Sequence, residues 1–137
     1  MVFERGDGDV TLVQRGYRTS RDGRTLIGNE EAPGANGQIG QWIVACAIGG
    51  TCHALTEGAR GVPSGDDSRV FFLRPSERGS PFRELWSVER AGKNERHHGG
   101  LGPFLVGAIH YDVSVRDQIV WTTIHLGDSR IWLTEFK

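Results

Sequence analysis

The sequence predicts an all-β fold. Gly accounts for 20 of the 137 residues, about twice its ordinary share, and this much Gly disfavours long helices. No segment places apolar residues at helical spacing over three turns. Apolar or alternating runs are instead short and lie between clusters of Gly, Pro, Asp and Asn, which is typical of strands joined by turns.

The first part of the chain is expected to form five strands. They are 10–15, 17–20, 24–28, 40–47 and 51–57. Asp22-Gly23 is a strong turn signal between the second and third of them. The polar stretch 29–39 contains Gly and Pro and is expected to be a loop. Gly49-Gly50 is expected to join the last two strands as a hairpin.

The remainder of the chain is expected to form seven further strands. They are 60–62, 69–74, 84–90, 103–108, 110–115, 118–126 and 130–136. The run RVFFLR and the alternating run ELWSVER give clear strand patterns. The polar stretch 91–100 is expected to be a loop, and His97 and His98 within it are expected to be loop residues rather than metal ligands.

Length and charge exclude several function classes. A chain of 137 residues is expected to form one domain, 1–137. Its 16 basic and 17 acidic residues give a formal net charge of −1, too weak for bulk binding to nucleic acid or to an anionic membrane. No apolar run approaches the roughly 18–20 residues of a membrane span. The start MVFERGDGDV lacks the apolar stretch of a signal peptide, so a cytoplasmic location is expected.

The two cysteines, Cys46 and Cys52, flank the Gly49-Gly50 turn. A cross-strand disulfide is one alternative, but for a chain in a reducing compartment we expect two reduced, partly buried thiols. With the adjacent His53 they still lack the fourth ligand of a zinc site, so no metal is expected here.

An internal repeat refines the fold class. Trp42, Trp86 and Trp132 are separated by 44 and 46 residues and have related contexts, GQWIV, ELWSV and RIWLT. Three units of four strands, each contributing an indole ring to a shared core, correspond to a β-trefoil with pseudo-three-fold symmetry. Trp121 does not follow this period, and three unrelated core tryptophans in another barrel or sandwich are the alternative.

The middle of the chain resembles a known family. The succession QWIVACAIGG, ALTEGARG, RVFFLRP and LWSVER resembles small fungal (mushroom) β-trefoil proteins, closest to the cospin-like serine protease inhibitors. The three Trp strands also resemble those of ricin-B-like trefoil lectins, and the cysteine protease inhibitors of the mycocypin type are related. The resemblance implies an intracellular fungal defence protein that binds a protease stoichiometrically, without a cofactor.

The segment between the second and third strands is the candidate protease-binding loop. It carries Arg18, Arg21 and Arg24 around the Asp22-Gly23 turn, and trypsin-like proteases select Arg because an acidic group lies at the base of their specificity pocket. The resemblance points to the same loop. We expect Arg21 to enter the pocket, followed by Arg24 and Arg18 as alternatives. The stretch 29–38 is the competing loop for a cysteine protease.

A carbohydrate-binding lectin is the alternative function. Sugar sites combine an aromatic face with polar side chains that bind paired hydroxyls. The last unit offers such residues: His110, Tyr111, Asp112, Trp121 and His125. Stacking on a sugar requires an exposed Trp121, whereas its alternation in QIVWTTIHL also fits an inward-facing ring.

Catalysis is not expected. Ser20, Ser64 and Ser68 lack the G-x-S-x-G context of a nucleophile elbow. The paired carboxylates Glu30-Glu31 and Asp66-Asp67 are neighbours in sequence and so do not flank a shared substrate. No phosphate-binding or dinucleotide motif is present. The sequence therefore predicts a binding protein whose partner is a protease or a glycan.

Overall fold

The computed structural model describes residues 17–75, 84–101, 110–125 and 128–135. Within these ranges the chain forms eleven strands and no helix, and all strand pairs are antiparallel. The predicted all-β class is confirmed. Among the described residues there is no helix with the length and apolarity needed to cross a membrane.

The first sheet contains four strands in chain order. They are β1 (Arg18–Thr19), β2 (Thr25–Pro33), β3 (Ile39–Ala47) and β4 (Cys52–Glu57). The expected loop at 29–39 is wrong, because β2 continues to Pro33 and pairs with β3 along its whole length. Polar side chains on this part of β2 find partners: the Asn29 amide donates to Gln41 Oε1 at 2.9 Å, and the Tyr17 hydroxyl donates to Glu30 at 2.6 Å.

The second sheet also contains four strands in chain order. They are β5 (Ala59–Pro63), β6 (Arg69–Arg74), β7 (Glu84–Glu89) and β8 (Arg96–Gly100). The expected loop at 91–100 is wrong, because its second half is β8. The ring of His97 lies 4.7 Å from the ring of Trp86, and His98 Nε2 lies 2.7 Å from Ser87 Oγ. Pairing of β8 with β7 thus gives His97 and His98 their partners, and the polar composition of the segment does not indicate this pairing.

The third sheet has the order β11-β10-β9. Its strands are β9 (His110–Val113), β10 (Gln118–His125) and β11 (Asp128–Glu135). These strands agree with the predicted positions to within a few residues. The strands predicted at 10–15 and 103–108 lie outside the described residues.

Two of the three recurring tryptophans pack in different places, and the side chain of the third, Trp132, lies outside the described residues. Trp42 and Trp86 are only partly buried and pack against two different clusters of buried side chains. Trp121, outside the sequence period, is instead 7% exposed and belongs to a third cluster. The fourth position of the equivalent strands β2, β6 and β10 is filled differently in the three sheets. It is Phe72 in β6 and Trp121 in β10, whereas in β2 it is Gly28, on which the Tyr17 ring packs.

The two cysteines are joined, so the expectation of reduced thiols is wrong for this structure. Cys46 on β3 and Cys52 on β4 are direct partners across the hairpin and form a disulfide. The turn that joins them is closed by the Ala47 amide, which donates to the Thr51 carbonyl at 3.1 Å. The pairing register of β3 and β4 therefore brings the two side chains together. The expected reducing compartment carries no information about this register.

Candidate functional site

One turn occurs three times, once in each sheet. It starts at Ser20, Ser64 or Ser114, and the amide of that serine donates to the first residue of the next strand, at 2.7, 2.9 and 2.9 Å. The residue three positions later has a positive φ in every case: Gly23 at 72°, Asp67 at 60° and Asp117 at 58°. Its amide donates back to the serine carbonyl, at 2.9, 3.1 and 3.0 Å. These turns are called the Ser turns below.

The serine side chains organise the Ser turns from inside. Ser20 Oγ donates to Asp22 at 2.6 Å and accepts the Thr25 amide at 3.1 Å. The second turn repeats both contacts at 3.0 Å, with Asp66 and the Arg69 amide. Ser114 Oγ likewise accepts backbone amides, at 3.1 and 3.2 Å. The segments SRDGRT, SGDDSR and SVRDQ carry this repeat, which is a sequence signal for Ser20 and Ser64 as turn residues rather than nucleophiles.

Carboxylates connect the Ser turns to one another. Asp67 of the second turn accepts the amides of Arg21 and Asp22, at 2.9 and 2.8 Å. Asp117, the equivalent residue of the third turn, accepts the amide of Gly65 at 2.7 Å. A Cβ on Gly65 would collide with the carbonyl of Val115, so the second and third turns are in close backbone contact. The three Ser turns therefore lie together at one end of the fold.

Arg21, the first choice for insertion into a protease, is held by the protein itself. Its Nε donates to the Ser64 carbonyl at 3.1 Å, and its Nη2 donates to the Val113 carbonyl at 2.5 Å. The guanidinium thus joins the first Ser turn to the second and third sheets. Arg18 is also engaged, because its Nη1 lies 3.0 Å from Asp112 Oδ1 in an exposed ion pair.

Arg24 differs from the other two arginines. Its backbone is fixed: the amide donates to Asp22 Oδ1 at 3.0 Å, and the carbonyl accepts the Ile48 amide at 3.1 Å. Its side chain is exposed and forms no hydrogen bond or ion pair with any residue that the structure describes. Ile48, on the neighbouring turn, is 45% exposed. Arg24 is therefore an available cation on a constrained backbone.

Two carboxylates of the Ser turns, those of Asp22 and Asp66, have a lowered pKa. Hydrogen bonds from the Ser20 hydroxyl and the Arg24 amide lower the pKa of Asp22. Donors of Ser68 and the Ser64 hydroxyl lower the pKa of Asp66 to about 2. Both side chains are exposed, and the hydrogen bonds lower the pKa by more than partial desolvation raises it.

An open groove of about 700 Å³ lies beside these turns. Its lining includes Asp22, Asp66, Asp67, His53 and Arg90. The guanidinium of Arg90 donates to the Asp67 carbonyl at 3.1 Å and to Thr25 Oγ1 at 2.6 Å. In the described part of the chain no cluster of His, Cys, Asp or Glu is arranged to hold a metal ion.

The aromatic residues of the carbohydrate alternative are not accessible. Tyr111 and Trp121 face each other across β9 and β10 and are 6% and 7% exposed. Burial raises the pKa of Tyr111, whose hydroxyl donates to the Arg60 carbonyl. The exposed Trp121 that stacking on a sugar requires is therefore absent. Asp112 is the partner of Arg18, and the side chains of His110 and His125 lie outside the described residues.

The competing loop is a short hairpin tip rather than a long segment. The Gly34 amide donates to the Gln38 carbonyl at 2.8 Å, and the Gly37 amide donates to the Gly34 carbonyl at 2.9 Å. Ile39, at the base of the tip, is 66% exposed. The tip is thus compact and presents one large apolar side chain.

Comparison with known proteins assigns neither a family nor a function. The chain has no significant match among protein-family models, curated proteins or solved structures. The resemblance to the fungal trefoil inhibitors therefore stays a prediction, supported by the residues that carry it.

Proposed function

We propose that this chain is a β-trefoil that inhibits a trypsin-like serine protease by inserting Arg24 into the specificity pocket. The observation that carries the proposal is the difference among the three arginines of the loop. Arg21 and Arg18 are bound within the protein, whereas the exposed Arg24 side chain forms no hydrogen bond or ion pair with a described residue, and only its charge acts on Asp22.

The Ser turns support the trefoil part of the proposal. They repeat the same contacts in three successive sheets, and Asp67 and Asp117 occupy equivalent positions and accept equivalent amides. Repetition of contacts along the chain is what a pseudo-three-fold fold requires. The first turn lacks this carboxylate because Gly23 takes its place, so the repeat is degenerate at one of three positions.

The constraint on the loop supports the inhibitory part. A loop that is already ordered loses little conformational freedom on binding, and this loss otherwise weakens affinity. The Arg24 backbone is held by Asp22 and Ile48, and the turn that precedes it is held by Asp67. The guanidinium would then pair with the carboxylate at the base of the protease pocket, while Ile48 contacts the rim. We propose stoichiometric binding, without catalysis or a cofactor.

Titration of trypsin with the chain tests this proposal. The unmodified chain should inhibit trypsin but not chymotrypsin, because only trypsin selects a basic residue. Arg24→Ala should raise the inhibition constant by at least about thirtyfold, the effect of a hot spot worth about 2 kcal/mol. Arg24→Lys should retain most of the inhibition, since the positive charge remains.

Arg116→Ala is the matched control. Arg116 is an exposed arginine of the third Ser turn and has no side-chain partner among the described residues. Its removal should change the inhibition constant less than twofold, a small effect for a surface residue outside the interface. Unchanged inhibition by Arg24→Ala, or no inhibition of trypsin by the unmodified chain, would exclude Arg24 insertion.

The exposed Ile39 favours a second candidate, inhibition of a cysteine protease by the compact 33–39 tip. Papain inhibition that is lost in Ile39→Asp and unaffected by Arg24→Ala would support this second function. A carbohydrate-binding function that depends on Trp121 is not proposed, because its ring is buried.

A further inference from the structure

A second open pocket lies on the sheet that contains β6, β7 and β8, with a volume of about 470 Å³. Among the described residues, its lining includes Arg69, Arg90 and Arg96 and one carboxylate, that of Glu89. We propose that this pocket binds a tetrahedral oxyanion, a phosphate or sulfate group, between the guanidinium groups of Arg69 and Arg96. This proposal is independent of protease inhibition.

Strand pairing brings the two arginines to the same face of the sheet. Arg69 is the direct partner of Glu89, and Arg96 is the direct partner of Ser87. Glu89 and Ser87 are two residues apart on β7, so their side chains project from the same face. Cross-strand partners also share a face. Arg69 and Arg96 therefore flank β7 on one side of the sheet.

The guanidinium of Arg69 is held in place by hydrogen bonds, but not all of its N–H groups donate one. Its Nε donates to Ser87 Oγ at 2.9 Å, and its Nη2 donates to the carbonyls of Ser87 and Asn94 at 3.1 and 2.5 Å. The remaining nitrogen, Nη1, lies 3.8 Å from Glu89 Oε1, beyond hydrogen-bond distance. Two Nη1 hydrogens are thus available on a side chain that is only 13% exposed.

Arg96 adds a positive charge that no described residue neutralises. Its side chain is exposed and has no ion pair among the described residues. Burial and the nearby charge of Arg96 lower the pKa of Arg69. Burial, followed by the charges of Arg69 and Arg96, also lowers the pKa of His98. An anion in the pocket would relieve this repulsion between like charges.

The local charge is opposite in sign to that of the chain. Of the described residues, three arginines and one glutamate line the pocket, a formal sum of +2, whereas the whole chain has a net charge of −1. One carboxylate oxygen of Glu89 is already engaged, because Oε1 accepts a hydrogen bond from the Asn94 side-chain amide at 2.7 Å. Donors from two separate guanidinium groups suit an anion whose oxygens point in several directions, as in phosphate and sulfate.

Titration of the full chain with inorganic phosphate, followed by NMR of the histidine rings, tests the proposal. Bound phosphate should raise the pKa of His98, because a negative charge favours the imidazolium form. The exposed His53 should not respond. Sodium sulfate serves as a second probe, and sodium chloride at equal ionic strength controls for screening.

Variants of Arg96 locate the site. Arg96→Ala should weaken phosphate and sulfate binding by about tenfold, a typical cost for a charge-assisted contact. Arg96→Lys should retain part of the affinity, and the control Arg116→Ala should change it less than twofold. Because Arg96 is exposed and unpaired among the described residues, these variants should fold.

The outcomes are decisive in either direction. Saturable phosphate and sulfate binding that depends on Arg96 and shifts the pKa of His98 supports the site. Equal affinity in Arg96→Ala and the unmodified chain would overturn it. Equal responses to phosphate and chloride, or no saturable response at millimolar phosphate, would overturn it as well. Binding of sulfate without phosphate would assign the pocket to sulfate groups.

Discussion

Replacement of Asp67 by Gly should destabilise the protein more than the same change at Asp117. Asp67 accepts two amides, of Arg21 and Asp22, whereas Asp117 accepts one, of Gly65. A hydrogen bond to a charged group contributes about 1.5–3 kcal/mol, and these bonds lie near solvent, which favours the lower limit. We expect a loss of about 3 kcal/mol for Asp67→Gly and about 1.5 kcal/mol for Asp117→Gly.

The choice of Gly isolates the hydrogen bonds. Both aspartates have positive φ values, 60° and 58°, so Gly is accepted at either position without backbone strain. The added freedom of the unfolded chain is the same for both variants and cancels in the comparison. Urea denaturation, followed by tryptophan fluorescence, measures the free energies of unfolding.

The two variants should also differ in function. Loss of the Asp67 contacts loosens the turn that carries Arg24, so Asp67→Gly should raise the trypsin inhibition constant more than Asp117→Gly. If Asp67→Gly lowers the free energy of unfolding no more than Asp117→Gly does, the carboxylate contacts between Ser turns do not hold this end together.

Two further predictions concern the same turns. Gly65→Ala should lower the free energy of unfolding by about 2 kcal/mol or more, because its Cβ would meet the Val115 carbonyl; denaturation should show little effect for Gly40→Ala, where the added Cβ meets open space. Hydrogen bonding lowers the pKa of Asp66 from 3.8 to about 2, so its stabilisation is complete above pH 4 and is lost as the pH falls towards 2. The free energy of unfolding should therefore fall less steeply with pH in this range for Asp66→Asn than for the unmodified chain. An equally steep fall would contradict the lowered pKa of Asp66.

Strands with a strong apolar pattern were predictable from sequence. The run RVFFLR coincides with β6, Arg69–Arg74, because β-branched and aromatic residues suit a buried strand. The polar ends of β2 and β8 were not predictable. Their strand character depends on pairing with β3 and β7, and that register is not visible in either segment alone.

The structure shows its repetition most clearly in the Ser turns, whereas the sequence indicated it through the tryptophans. Trp42, Trp86 and Trp132 suggested three units, yet Trp42 and Trp86 lie at the margins of separate clusters. The better marker is the Ser turn, whose conformation depends on short polar side chains and positive φ values rather than on apolar periodicity. Large core side chains are poorer markers of a repeat, because a neighbouring residue can fill the space that one of them leaves. The Tyr17 ring fills such a space above Gly28.

The sequence singles out the loop around Asp22-Gly23 as a candidate, but it does not distinguish the arginines of that loop. Arg21 and Arg24 have similar sequence contexts on either side of Asp22-Gly23. Only tertiary structure shows that Arg21 bonds to the carbonyls of Ser64 and Val113, which are distant in sequence. The assignment of Arg24 therefore required the fold.

A crystal structure of the chain bound to trypsin would show which side chain enters the specificity pocket. We expect the Arg24 side chain there, with its guanidinium paired to the pocket carboxylate. Arg21 should still be bonded to the carbonyls of Ser64 and Val113, and Ile48 should lie at the rim. A complex in which Arg21 or a residue of the 33–39 tip occupies the pocket, while Arg24 remains in solvent, would contradict this expectation.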